Sequence, residues 1–220
     1  MNREVVKIVE VGPRDGLQNE KETLSVSDRV DFIKRLMNAG NLWIEGGSFV
    51  SPKAIPQMID SEKVFESLRD DIKASHVDLS FLVPNEKGLE RAKVAGVNSI
   101  AVFTATSNTF TSKNIQRTVE ESLQEFSKIA KESESLKMHM RGYISTAFGC
   151  PYEGRQDPNE VVRLAGALLD RGCFEVSIGD TIGVAHPRQI RDVFSKLKTT
   201  FGLKRIAAHL HDTRGAALLN

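Results

Sequence analysis

Two histidines near the end of the chain have a spacing that suits metal binding. His209 and His211 are two residues apart in segment 204–211, which has the apolar character of a buried strand. Alternate residues of a strand project from one face, so both imidazoles are expected to leave the sheet together. Far upstream, Arg14 and Asp15 follow an apolar stretch and precede a glycine. Asp15 with the two histidines predicts a mixed nitrogen and oxygen site for a divalent cation with open coordination positions.

Each of these residues also has a structural interpretation. A His-X-His pair at the end of a strand is often structural or exposed when it occurs alone. Asp15 could only cap the turn before Gly16, and Arg14 could only neutralise neighbouring carboxylates. The presence of the histidine pair and the Arg14-Asp15 turn in one chain favours the metal site.

Strand-like and helix-like patterns alternate along the chain. Seven short apolar segments are predicted strands, at residues 5–11, 42–49, 76–83, 99–106, 137–147, 174–178 and 205–211. The clearest helices span 117–133, with an apolar stripe, and 158–172, capped by Asp157; others begin near Ser25 and at Pro187. Parallel strands need long crossovers, which helices provide, so the alternation predicts a parallel α/β sheet.

A closed barrel and an open doubly wound sheet both fit this alternation. The polar candidates decide between them, because all lie at or near the carboxyl end of a predicted strand. They are Arg14, Asp15, Glu45, Ser48, Arg141, Asp180, His209 and His211. In a TIM barrel these ends converge on one mouth, whereas an open sheet spreads them along an edge. The sequence therefore predicts an α/β fold of the TIM (β/α)₈ barrel type.

The length of the chain is short for that fold. A (β/α)₈ barrel usually takes about 250 residues, and this chain has 220 with about seven predicted strands. We expect one catalytic domain over residues 1–220 that is incomplete at its C-terminus, without the eighth strand and the C-terminal helices. Exposed sheet edges would then need a partner, a neighbouring copy or the rest of a longer chain.

Composition excludes several classes of partner. The formal net charge is +1 and 40% of the residues are hydrophobic, and the basic residues form no stripe, so nucleic acid and membrane surfaces are not expected. No apolar run approaches the roughly 18 residues of a membrane span. A strand is predicted within a few residues of the start, which argues against a signal or transit peptide there. A cytoplasmic location is therefore expected. Cys150 and Cys173 are predicted to be reduced thiols.

Five segments of the chain resemble the 3-hydroxy-3-methylglutaryl-CoA lyases, members of a TIM-barrel superfamily of lyases and condensing enzymes. They are Val-Gly-Pro-Arg-Asp-Gly-Leu-Gln-Asn-Glu-Lys at 11–21, Ser-Phe-Val-Ser-Pro-Lys at 48–53 with Pro-Gln-Met at 56–58, Gly-Cys-Pro-Tyr-Glu-Gly at 149–154, Ser-Ile-Gly-Asp-Thr-Ile-Gly at 177–183, and His-Leu-His-Asp-Thr at 209–213. They occur in family order across nearly the whole chain, which one short motif could not show.

The resemblance implies a carbon–carbon lyase that cleaves 3-hydroxy-3-methylglutaryl-CoA to acetyl-CoA and acetoacetate, a reaction of leucine degradation and ketone-body metabolism. The cation, Mg²⁺ or Mn²⁺ although histidine pairs also suit Zn²⁺, would bind the substrate carboxylate and C3 oxygen. Arg14 would stabilise the thioester oxygen, and Asp180 would take the proton of the C3 hydroxyl.

The remaining candidates have supporting roles. The predicted catalytic residues are Arg14, Asp180, His209 and Glu45. Glu45 and Arg141 are expected to orient the metal ligands. Alternatively, Glu45 is only an ion-pair partner of Arg141, and Asp180 only caps a loop. Predicted substrate contacts are Arg14, Gln18, Ser48, Arg141, Tyr143, Ser177 and Thr181. The expected partner is an acyl-CoA thioester, and a homo-oligomer is left open.

Two other functions remain open. A condensing enzyme of the isopropylmalate or homocitrate synthase type would use the same metal and enolate chemistry, but such synthases typically resemble Arg-Asp-Gly-Glu-Gln, and Leu17 stands where they have glutamate. An inactive metal-binding fragment is the other, because the family's catalytic cysteine and asparagine ligand have no counterpart here; Cys150 lies in a different family segment. We expect the full-length protein to be active and the 220-residue form to be weak or inactive.

Overall fold

Helices and parallel strands alternate in the computed structural model, which describes residues 6–220. The chain divides into two compact units, Met1–Ile100 and Ala101–Asn220. Along the described residues, none of the helices has both the length and the apolar character to cross a bilayer. The predicted α/β alternation is confirmed, while the organisation as one catalytic domain stays a prediction.

The first unit contains a parallel strand pair and three helices. Its elements are a π-helical turn (Gly12–Gly16), α1 (Val26–Asn38), β1 (Trp43–Ser48), a 3₁₀ turn (Pro56–Met58), α2 (Ser61–Ser75), β2 (Asp78–Leu82) and α3 (Glu86–Ala95). Helix α1 begins as predicted, because the Ser25 hydroxyl accepts the Asp28 N–H. The pairing of β1 with β2 is irregular between Glu45 and Gly47. This irregularity lies at the end of β1 that carries the candidate residues.

The predicted strand at 5–11 does not form a regular strand where it is described. Val5 lies outside the described residues, and the rest contributes one parallel bridge, between Glu10 and Ile44. In the described part of this segment, Glu10 exchanges ladder hydrogen bonds with Trp43 and Glu45 of β1, whereas Val6 and Ile8 are 77% and 65% exposed. An apolar alternation predicts a strand only where a neighbour completes the ladder. The described residues therefore contain six strands, not about seven.

The second unit contains parallel strands whose order follows the chain. Strand β3 (Ser99–Ala105) begins two residues before the boundary, and the elements that follow it are α4 (Asn108–Ile115), α5 (Val119–Ser135), β4 (His139–Ser145), α6 (Pro158–Asp170), β5 (Glu175–Asp180), α7 (Pro187–Phe201) and β6 (Ile206–Leu210). Helix α6 starts as predicted, with the Asp157 side chain accepting the Asn159 N–H. Strand β5 pairs with both β4 and β6, and it is buried along its whole length.

Strand β6 differs from the prediction of a buried strand. Its residues are half-buried, with Ala208 exposed. In the order of strands of the second unit, β6 comes last and pairs with β5. An edge position leaves one side of a strand uncovered, a property that apolar composition does not reveal.

Cys173 offers a check on the packing of the second unit. Both cysteines are free and buried, and burial raises the pKa of the Cys173 thiol to about 12. The thiolate is the reactive form, so iodoacetamide at about pH 8 should leave Cys173 unmodified in the folded protein and alkylate it in denaturant. Peptide mass spectrometry measures both. Rapid alkylation of Cys173 without denaturant would contradict this packing.

Candidate metal and substrate site

The π-helical turn of the first unit presents Arg14 and Asp15 together. The backbone N–H groups of both residues donate to the Val11 carbonyl, at 3.1 and 2.7 Å, and the Gly12 N–H donates to Glu10 Oε1 at 2.7 Å. Pro13 fits the first positions of this turn because it has no N–H to satisfy. Single π-helical turns occur frequently at functional sites. The turn places a cationic and an anionic side chain next to each other at the start of the chain.

Arg14 joins two carboxylates of the first unit. Its Nη1 donates to Asp15 Oδ1 at 2.7 Å, and its Nη2 donates to Glu45 Oε2 at 2.9 Å. The side chain of Glu45 is fully buried, and that of Arg14 is 8% exposed. A buried ion pair of this kind costs desolvation, but it fixes the geometry of its members. Arg14 therefore holds the Asp15 carboxylate in one orientation. Glu45, in β1, fixes the guanidinium by accepting its second hydrogen bond.

The histidine pair is brought together in the second unit. The Nε2 atoms of His209 and His211 are 2.8 Å apart. The Nδ1–H of His211 donates to the Thr181 carbonyl at 2.8 Å, and the Tyr143 ring meets the His209 ring edge-on with centroids 6.1 Å apart. Since Nδ1 of His211 carries the proton, its Nε2 keeps a lone pair for coordination. Two nitrogens this close can both bind one ion at about 2.1 Å, so this donor pair fits a divalent cation.

Arg141 has a partner that the sequence did not suggest. Its Nε is 2.8 Å from Glu175 Oε1 and its Nη1 donates to the Tyr143 hydroxyl at 2.8 Å. Arg141 and Glu175 are opposite each other in the β4–β5 register, as are Tyr143 and Ser177. Strand register is not visible in a single sequence, so neither the pair nor the role of Glu175 could be predicted. Arg141 thus orients Tyr143, which contacts His209.

Asp180 holds the loop that follows β5. Its carboxylate oxygens accept the backbone N–H groups of Val184 at 3.0 Å and Ala185 at 2.9 Å, and the residue is 1% exposed. The hydroxyl of Thr213 donates to the Gly183 carbonyl at 3.2 Å, which ties the loop to the segment after β6. These contacts match the loop-cap alternative for Asp180. Its role as the base stays a prediction.

Asp180→Asn tests the loop-cap role. An amide offers one acceptor where the carboxylate offers two, so we expect the free energy of unfolding to fall by about 1–3 kcal/mol. Urea denaturation measures the change. The control is Asp192→Asn on α7, which removes an exposed carboxylate. Unchanged stability in Asp180→Asn would show that the carboxylate does not hold the loop.

Ser48 and Gln18, also predicted from the sequence, lie in the first unit. The Ser48 hydroxyl donates to the Leu82 carbonyl at 3.3 Å and accepts the Val50 N–H at 3.1 Å, so it closes the end of β1. Gln18 is half-buried, two residues after the π-helical turn. Ser48 is the last residue of β1, and Gln18 follows the turn. Their contact with a substrate stays a prediction.

A buried arginine of α1 was missed by sequence reasoning. Arg29 donates from Nη1 to the Ile59 carbonyl at 2.7 Å and from Nη2 to the Ser61 hydroxyl at 3.2 Å. That hydroxyl also accepts the Ser48 N–H at 3.2 Å. Burial lowers the pKa of Arg29, and the charge of Asp60 opposes that shift. Arg29 therefore supports the carboxyl end of β1.

Comparison with known proteins identifies the family of the chain. The model of a family described as HMGL-like matches residues 5–220. The chain is 45% identical over 215 residues to the mitochondrial hydroxymethylglutaryl-CoA lyase of Homo sapiens, covering 98% of this chain and 65% of that protein. It is 43% identical to a 3-hydroxy-3-isohexenylglutaryl-CoA/hydroxy-methylglutaryl-CoA lyase of Pseudomonas aeruginosa, covering 98% of this chain and 71% of that protein. The chain thus spans less than two thirds of the human relative.

Solved structures give the same result. The HMG-CoA lyase of Bacillus subtilis has a TM-score of 0.93 at 42% identity, covering 98% of this chain and 71% of that one. An HMG-CoA lyase of Acinetobacter baumannii in complex with coenzyme A and 3-methylmalate has a TM-score of 0.89 at 34% identity, covering 96% and 68%. The predicted α/β fold of TIM-barrel type is confirmed by these similarities.

Proposed function

The chain belongs to the HMGL-like family, and from that premise we propose that its protein is a carbon–carbon lyase. The proposed reaction converts 3-hydroxy-3-methylglutaryl-CoA to acetyl-CoA and acetoacetate. The observation that carries the proposal is 45% identity to hydroxymethylglutaryl-CoA lyases across 98% of the chain. The place of this reaction in leucine degradation and ketone-body metabolism, and the cytoplasmic location, are parts of the same proposal.

The proposed cation ligands are Asp15, His209 and His211. Two local features support this set: the Nε2 atoms of the histidines are 2.8 Å apart, and Arg14 orients the Asp15 carboxylate. One carboxylate with two imidazoles suits Mg²⁺ or Mn²⁺, and also Zn²⁺. When bound, the cation supplies a Lewis acid and a template for the oxygen atoms of the substrate.

The protein groups have distinct roles in the proposed cleavage. A base, for which Asp180 is the candidate, takes the proton of the C3 hydroxyl; the C3 oxygen becomes a ketone as the C2–C3 bond breaks. The electron pair of that bond forms the enolate of acetyl-CoA, which then takes a proton at carbon. Arg14 donates hydrogen bonds to the thioester oxygen, where the negative charge develops. Glu45 keeps the guanidinium in place through its 2.9 Å contact.

An acyl-CoA thioester is the proposed substrate class. The Acinetobacter baumannii relative was solved with coenzyme A and 3-methylmalate, which supports a thioester rather than a free acid. The proposed substrate contacts are Arg14, Gln18, Ser48, Arg141, Tyr143, Ser177 and Thr181. The condensing-enzyme alternative is not favoured, because the relatives reported above are named as lyases.

A coupled assay tests the proposed function. The purified whole protein is incubated with 3-hydroxy-3-methylglutaryl-CoA and Mg²⁺ or Mn²⁺, and acetyl-CoA and acetoacetate are measured separately. We expect equal amounts of both, loss of activity with a chelator, and recovery when the metal is restored. Condensation of acetyl-CoA with a 2-oxo acid, without cleavage of the thioester substrate, would refute the proposal.

A further inference from the structure

Three threonines form a hydrogen-bonded line that ends at His211. We call Thr106, Thr146 and Thr181 the threonine network; all lie in the second unit, at the carboxyl ends of β3, β4 and β5. The Thr106 hydroxyl donates to the Thr146 carbonyl at 2.9 Å, and the Thr146 N–H donates to the Thr181 hydroxyl at 2.7 Å. The Thr181 carbonyl then accepts the His211 Nδ1–H at 2.8 Å. The network thus connects three strand ends to one imidazole.

Thr146 has an unusual backbone for its residue type. Its φ is +57°, a left-handed conformation that a β-branched side chain strongly disfavours. The residue is fully buried, and its hydroxyl donates to the Ser145 carbonyl at 2.7 Å. This conformation turns the Thr146 N–H toward Thr181. Strained residues of this kind persist only where their surroundings hold them, and they cluster at functional sites.

Thr181 is fixed on both of its polar groups. Its hydroxyl accepts the Thr146 N–H, and its carbonyl accepts the His211 Nδ1–H. The second contact selects the tautomer in which His211 Nε2 keeps a lone pair. A hydrogen bond on the far nitrogen is the usual way in which a protein orients a metal-binding histidine and raises its basicity.

We propose that Thr181 is a positioning residue for His211, with Thr146 holding it through the backbone N–H. The proposal rests on the function proposed above only in that His211 binds the cation. Removing the Thr181 hydroxyl leaves the buried Thr146 N–H without this acceptor, so Thr181 loses the contact that ties it to the end of β4. Loss of such supporting contacts typically weakens metal binding by about 10- to 100-fold.

Four variants test the proposal by calorimetric titration of the purified protein with Mn²⁺. Thr181→Val, which removes the hydroxyl, should weaken binding by about 10-fold or more. Thr181→Ser keeps the acceptor, and Thr146→Gly keeps the N–H donor in a conformation that glycine adopts freely, so both should stay within about 3-fold. The control is Thr104→Val, which removes another buried hydroxyl of the second unit, one hydrogen-bonded to Ser122.

The outcome is decided by comparison with the control. A loss in Thr181→Val below about 5-fold, or an equal loss in Thr104→Val, would overturn the proposal. A second measurement does not depend on metal: nuclear magnetic resonance of isotope-labelled histidine in the metal-free protein should show His211 protonated at Nδ1, and protonation at Nε2 alone would overturn it. If the unaltered protein bound no Mn²⁺, the proposed function would fail, whereas the tautomer would still decide the orientation of His211.

Discussion

Asp15→Asn is expected to weaken Mn²⁺ binding by about 100-fold or more. The substitution replaces an anionic ligand with a neutral amide of the same shape, and loss of a ligand should cost more than the about 10- to 100-fold that loss of an outer-shell contact costs. The amide can still accept a hydrogen bond from Arg14, which is 2.7 Å from Asp15 Oδ1, so the π-helical turn should stay folded. Calorimetric titration with Mn²⁺ measures the affinity, and circular dichroism checks the fold.

The matched control for this variant is Asp31→Asn. Asp31 is an exposed aspartate of α1 in the same unit, paired with Arg35, and its loss should change the Mn²⁺ affinity by no more than about 2- to 3-fold. If Asp15→Asn kept the affinity of the unaltered protein, Asp15 would not be a ligand. If both variants lost affinity equally, the effect would come from net charge.

Arg14→Gln is expected to lower kcat at saturating Mn²⁺ by about 100- to 1,000-fold, while the Mn²⁺ affinity falls by no more than the about 10- to 100-fold that loss of an orienting contact costs. The guanidinium is proposed to donate to the thioester oxygen only as charge develops there, so its loss acts on the transition state. Arg14→Lys should also be impaired, because an ammonium cannot reach Asp15 and Glu45 together as the planar guanidinium does at 2.7 and 2.9 Å. Steady-state kinetics with the hydroxymethylglutaryl thioester measure both variants.

Two readings separate this role from a structural one. Arg35→Gln, at an exposed arginine of α1 paired with Asp31, should keep full turnover. Urea denaturation of Arg14→Gln measures how far the free energy of unfolding falls when the buried Glu45 carboxylate loses its guanidinium partner. Loss of Mn²⁺ binding in Arg14→Gln with turnover preserved at saturating metal would show that Arg14 serves the metal ligand and not the substrate.

The parts of the site that were predictable depend on short-range spacing. The alternation of a strand brings His209 and His211 to one face, and the Nε2 separation of 2.8 Å agrees with that expectation. The adjacency of Arg14 and Asp15 likewise predicted a charged pair at a turn. Helix starts such as Ser25 were visible because a cap needs only the residues of the first turn.

The parts that were missed depend on register and on tertiary burial. Glu175 faces Arg141 because β4 and β5 pair in one particular register, which no local pattern encodes. Arg29 lies in a polar stretch of α1, yet the Ile59 carbonyl and the Ser61 hydroxyl accept its hydrogen bonds and allow its burial. The strained backbone of Thr146 could not be predicted from the sequence, because a β-branched residue such as threonine rarely adopts a positive φ.

The first predicted strand failed for a related reason. Val6 and Ile8 have the alternation of a half-buried strand, but in the described residues their segment meets β1 at Glu10 alone. A strand is a property of a pair, so an apolar pattern predicts one only if the neighbour is also present. For Asp180, spacing could not separate a base from a cap, whereas the two backbone N–H contacts support the cap.

The central claim is that Asp15, His209 and His211 bind the same cation. The most direct test is a crystal structure of the protein with Mn²⁺, in which anomalous scattering locates the metal whichever residues bind it. We predict one peak at about 2.0–2.2 Å from a carboxylate oxygen of Asp15 and from Nε2 of both histidines. A Mn²⁺ peak away from these residues, or an Asp15 carboxylate more than about 8 Å from the imidazole nitrogens, would contradict it.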